Sequence, residues 1–179
     1  MSHGNKKRSV RFLVLLSAAV IAAVVFASAA FAADQSFKAK SGISFNYPSG
    51  WTATEVQQGS ITSVTLMNPS QPTATIAVTI SEGGVPENTP LPDEEATKAA
   101  LAASGQDFNL LTFKNIKVAG KDAVLSEFST EANGVYVQSR SVTIIDGTNM
   151  IAVSSVYMDK STVADGQKIS EAVENSLSF

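Results

Sequence analysis

The chain has 179 residues, no cysteine and one histidine, His3, so past residue 3 it lacks both the thiols and the imidazoles on which Ser-His-Asp and Cys-His catalysis are built. The same shortage excludes zinc, copper and haem sites made from those side chains. Thirteen basic residues stand against 16 acids, and they form no basic stripe of the kind that nucleic-acid binding requires.

Lys6, Lys7, Arg8 and Arg11 precede an uncharged run from Phe12 to Ala33, and the first acid is Asp34. A basic start, an apolar middle and the small-residue site Ala30-Phe31-Ala32 together have the layout of a secretory leader. Residues 1–32 are therefore expected to be a signal peptide cut after Ala32, with Ala27-Ser28-Ala29 as a second site. The alternative is an uncleaved anchor with the body facing outward, since about 20 apolar residues span a bilayer. Removal leaves a body of about −7 that repels anionic lipid, so no membrane contact is expected afterwards. The expected location is periplasmic or secreted. Residues 33–179 fit one domain with a core large enough to need no disulfides.

Ile43, Phe45 and Tyr47 alternate with Ser44 and Asn46, which predicts a strand with one wet face. Pro48-Ser49-Gly50 ends it in a tight turn flanked by Tyr47 and Trp51. A second strand is expected over Ser63 to Met67 and a third over Thr73 to Ile80, where Ala74, Ile76, Val78 and Ile80 share a face. Gly83 to Pro92 carries five Gly or Pro residues and is read as a loop. A helix follows from Asp93 to Ser104, with acids in its opening turn and Gly105 at its end. Its Ala96, Ala99, Ala100 and Ala103 form a smooth stripe suited to close approach to a sheet.

The remainder reads as an antiparallel meander: Phe113 to Val118, Ala123 to Ser129, Val135 to Ile145 and Met150 to Met158. Asn133-Gly134 and Asp146-Gly147 are strong hairpin signals, because their turn positions need positive φ. Apolar parity slips between Val135/Val137 and Val142/Ile144, which predicts a β-bulge near Ser139 to Ser141. A final helix starts near Ser161 or Thr162 and places Ile169, Ala172, Val173 and Leu177 on one face, with Gly166 weakening its first turn. The class is α+β: an antiparallel sheet of six or seven strands packed with two main helices.

For acid-base work only carboxylates, tyrosines and lysines remain. Asp93, Glu94 and Glu95 cluster, but acids in a first helical turn serve stability as well as catalysis. Asp146 to Asn149 lacks the distal acid of a calcium loop, and no phosphate-cradling glycine loop occurs. Neither a cofactor nor a metal is expected. Tyr47, Trp51, Tyr136 and Tyr157 combine apolar area with a polar handle and are the candidate binding anchors, with core packing as the competing role. Arg140, the one guanidinium of the body, sits mid-strand, either clamping a carboxylate or snorkelling on a wet sheet face.

Gly42-Ile-Ser-Phe45-Asn-Tyr47-Pro48-Ser-Gly50-Trp51, the Val118-Ala-Gly120-Lys-Asp-Ala123 hairpin and the closing Asn175-Ser-Leu-Ser178-Phe179 resemble the PsbP-like or Mog-type sandwich. That group includes the extrinsic PsbP proteins of photosystem II and bacterial envelope proteins of unknown role. The resemblance implies a non-enzymatic module that docks on, or helps to assemble, an unidentified envelope or extracellular protein. Two other classes stay open: a hydrolase built on carboxylates, and a small-ligand carrier with a pocket between sheet and helix.

Overall fold

The computed structural model describes residues 35–40, 42–105, 107–132 and 134–179, so the expected leader lies outside the described residues. Strand alternation organises almost everything that follows. Two short strands, β1 (Gln35–Lys38) and β2 (Ser44–Tyr47), pair antiparallel as a separate two-stranded sheet. The main sheet has seven strands: β3 (Thr52–Gln58), β4 (Ile61–Met67), β5 (Ala74–Ser81), β6 (Asn109–Val118), β7 (Lys121–Ala132), β8 (Val135–Asp146) and β9 (Asn149–Tyr157). Their order is β3-β4-β5-β9-β8-β7-β6, with every neighbour antiparallel. Helix α1 (Glu94–Ala103) lies between β5 and β6, and α2 (Val163–Asn175) closes the chain after a short 3-10 turn at Lys160–Thr162. The α+β class is as expected.

The turns follow from residue type. Val118 pairs with Lys121 across Ala119 and Gly120, both at positive φ, and Asp146 pairs with Asn149 across Gly147-Thr148. After β2, the Trp51 N–H donates to the Pro48 carbonyl at 3.3 Å and Gly50, at the third position of that turn, takes φ 83°, a conformation glycine adopts without strain. Asp93 caps α1 by accepting from the Ala96 N–H at 2.7 Å, while Glu94 pairs with Lys98 one turn on.

One face of the sheet carries the main core. Val64, Leu66, Ile76, Val78, Ile80, Val142, Ile144, Ile151 and Val153 are fully buried there, each contributing about 1.5–3 kcal/mol through its removal from water. The β1-β2 ribbon adds Phe37, Phe45 and Tyr47, whose rings meet in sequence, tilted, at 5.3 and 6.4 Å between centroids. Helix α2 adds Val173, and Leu177 follows it; a bridge between Ser44 and Ser178 then ties the chain end to β2. Among the described residues no helix is long and apolar enough to cross a membrane.

Two strands go unannounced by the sequence pattern, and two expectations need correction. Strands β1 and β3 carry too little apolar alternation to stand out: in β3 every residue from Thr54 to Gln58 is exposed. The alanine stripe of α1 does not pack as a unit. Ala99 and Ala103 are exposed, and the buried pair is Ala100 and Leu101. The bulge near Ser139 to Ser141 is absent: β8 keeps one continuous register with β7 and with β9, and the break lies instead in β6, between Leu110 and Thr112. Parity in β8 never slips. The inward face runs Gln138, Arg140, Val142, Ile144, so the apolar series begins late because its first members are polar.

The Gly83 to Pro92 loop has no regular structure but is tied down. Gly83 N–H donates to Asn149 Oδ1 at 3.1 Å, and Val85 N–H donates to the Thr148 carbonyl at 3.2 Å. Val85 is buried beneath it.

Candidate functional site

Chemistry-bearing side chains converge in one place, the seam between the inward face of the sheet and α2. Arg140 from β8 is only 4% exposed, which corrects the wet-face placement. Its Nη1 donates to Glu174 Oε1 on α2, its Nε lies 3.5 Å from Glu127 Oε1 on β7, and its Nη2 lies 3.9 Å from Glu171 Oε1. The guanidinium does clamp carboxylates, and they belong to its own chain.

A directed run of hydrogen bonds ends on the same carboxylate. The Tyr157 hydroxyl donates to Ser155 Oγ at 2.8 Å, Ser155 to Ser170 Oγ at 3.3 Å, and Ser170 to Glu174 Oε1 at 3.0 Å. Glu127 also accepts from Gln167 Nε2 at 2.8 Å. The spacing explains the assembly: Gly166, Ser170, Val173 and Glu174 recur at helical period on the buried face of α2. Ser155 and Tyr157 recur at strand period on β9, and Ser155 pairs with Arg140 across the ladder.

Burial sets the proton affinities. It pushes the Tyr157 phenol up to about 12, against the lowering effect of Ser155 and Arg140, so the hydroxyl stays a donor. It also raises Glu174 above the usual carboxylate range, opposed first by the Arg140 charge and then by its hydrogen bond. With the buried oxygens and nitrogens of the seam engaged by one another, the arrangement holds a helix onto a sheet.

Gly166 sits where this packing demands it. A Cβ there would fall 2.2 Å from Tyr157 Cε1. Gly→Ala stabilises an exposed helix interior, by about 1 kcal/mol. Gly166→Ala is expected to do the reverse, costing about 1–3 kcal/mol by overpacking, measured as a lower denaturation midpoint in urea. An unchanged or higher midpoint would mean the ring does not press on the helix.

The remaining candidate residues are scattered. Trp51, 2% exposed, and Tyr47 are enclosed in the core, and the Tyr47 hydroxyl donates to Gln35 Oε1 at 2.8 Å. Tyr136 lies half-buried at the rim of the seam, donating to Gln138 Oε1 at 2.8 Å with Lys160 Nζ 4.5 Å from its ring centre. The acids of α1 are occupied in capping and pairing, and are not drawn to the seam. Beside α1, an open depression of about 410 Å³ is lined by residues that include Lys98, Leu101, Asp107 and Phe108.

No family profile and no curated protein sequence matches the chain. Solved structures do. Cyanobacterial PsbP (CyanoP) from Synechocystis superimposes with a TM-score of 0.62 at 15% identity, over 87% of this chain and 98% of that one. The Ran-binding protein Mog1p of Saccharomyces cerevisiae gives 0.55 at 9% identity, over 83% and 96%. A protein of unknown function from Pseudomonas aeruginosa gives 0.52 at 17%, over 83% and 99%. The chain has the PsbP/Mog fold. In this version of the PsbP/Mog fold, the closing helix is locked to the sheet by a buried arginine and its carboxylates.

Proposed function

We propose that the protein is an exported, non-enzymatic module that works by binding another protein. The observation that carries this is the structural likeness to a PsbP and to a Ran-binding protein, each matched over nearly its whole length. The seam supports it: Arg140, Glu174, Ser155, Ser170 and Tyr157 are enclosed and engaged with one another, which leaves recognition to the surface. The leader-like start is what supports export.

The binding surface we favour is the anchored loop from Gly83 to Pro92 with the neighbouring β8-β9 turn. Glu82, Glu87 and Asn88 stand exposed there over the fixed Val85. Irregular segments on a rigid sheet are common sites of recognition. A crosslinking amino acid placed at Glu87 should capture one protein in stoichiometric yield from the envelope of the producing cell. Failure to capture any protein, together with enzyme-like turnover lost on replacing a single acid, would overturn this reading.

A further inference from the structure

The sheet has two edges, and they are managed differently. Strand β6 is guarded by its register break at Leu110/Thr112 and by the exposed Lys114 and Lys117, devices that discourage pairing with another chain. Strand β3 has none of them. It pairs with β4 in unbroken register over its whole length, holds no proline or lysine, and leaves Val56 51% exposed.

We propose that this edge receives a second copy of the same chain, β3 against β3, antiparallel about a two-fold axis through Val56. The hairpin fixes which backbone groups are available. Gln58 and Ile61 face each other across the two-residue turn Gly59-Ser60, so alternation directs the backbone groups of Val56 toward β4 and turns the N–H and C=O of Glu55 and Gln57 outward. An axis through Val56 sets Glu55 opposite Gln57 of the second copy, and Gln57 opposite Glu55 of the second copy. Those are the residues whose backbone groups are free to exchange hydrogen bonds. The two Val56 side chains then meet as a non-hydrogen-bonded pair, the closer kind.

Charge separates this register from the one centred on Glu55. Glu55 is the only charged residue of β3, and an axis through it would oppose two carboxylates. With the axis at Val56, each Glu55 instead approaches Gln57 of the other copy, whose Oε1 already accepts from Lys40 Nζ at 3.5 Å. Two symmetry-related Glu55-Lys40 pairs form on one face of the joined sheet while the valines meet on the other. An edge contact of this size is small, so the dimer is an equilibrium that depends on concentration.

Sedimentation velocity on the protein purified from its producing cell, over a range of concentrations, tests this. A monomer-dimer equilibrium is expected. Glu55→Lys and Lys40→Glu should each weaken it roughly tenfold, because each reversal breaks both symmetry-related ion pairs, and the double reversal should restore it. Because the chain has no cysteine, Val56→Cys provides a single thiol that should crosslink two copies on mild oxidation, at a Cα separation of about 4.5 Å. A monomer at every concentration overturns the proposal. So does a dimer indifferent to the charge reversals and uncrosslinked at Val56→Cys, or preferential binding of an extended peptide from another protein along β3.

Discussion

Arg140→Ala is expected to destabilise the protein by about 3–5 kcal/mol in urea denaturation at neutral pH, because it leaves Glu174 buried without its counter-charge. A folded domain is stable by only about 5–15 kcal/mol, so the loss is a large share of the total. Replacing the most buried pair together, Arg140→Met with Glu174→Leu, should recover part of the loss, since its desolvation cost goes with the two charges, while Glu127 keeps Gln167 as its donor.

The pH dependence has a definite sign. Glu174 is held above its ordinary value, so the folded state binds its proton more tightly than the unfolded chain does. Its contribution to stability is complete below the ordinary carboxylate range and declines as pH rises through the raised value. Relative to Glu174→Gln, the wild type should therefore lose stability as pH rises from about 4 toward neutrality. The deficit of Arg140→Ala should shrink on acidification, where the orphaned carboxyl can take up a proton. A deficit independent of pH would mean that Arg140 acts through packing alone.

Trp51→Ala is expected to cost about 3–5 kcal/mol, the range for emptying a large aromatic site in a close-packed interior. Tyr136→Ala, at the half-exposed rim, should stay within about 1 kcal/mol. Melting measured beside partner capture separates the two roles the aromatic residues compete for. If Trp51→Ala kept the wild-type melting temperature and lost the partner, the indole would be a contact, against its enclosure here.

The fold is legible in the sequence wherever burial and turn chemistry agree. Strand β5, with one face apolar, follows from alternation, and the β8-β9 hairpin from its glycine, although the turn positions are Gly147 and Thr148 rather than Asp146 and Gly147 and only Gly147 takes positive φ. Strand β3 leaves no such trace, because an edge strand exposed on both faces has no reason to alternate. The seam is hidden for the opposite reason. Gln138, Arg140, Ser170 and Glu174 occupy inward positions while their residue types point outward, and a hydrophobicity pattern reads such positions as surface. The bulge expected in β8 has the same origin. One signal is present: Glu174 lies four residues after Ser170 and one after Val173, on the stripe that includes Leu177, and a lone arginine stands mid-strand needing such a partner.

The most direct test of the central claim, that the seam holds the fold while the surface does the work, is partner capture by the Arg140→Met/Glu174→Leu protein once its folding is confirmed. The account predicts the same partner in the same yield as the wild type. A folded double variant that no longer captures it would contradict the account and make the buried arginine part of the function itself.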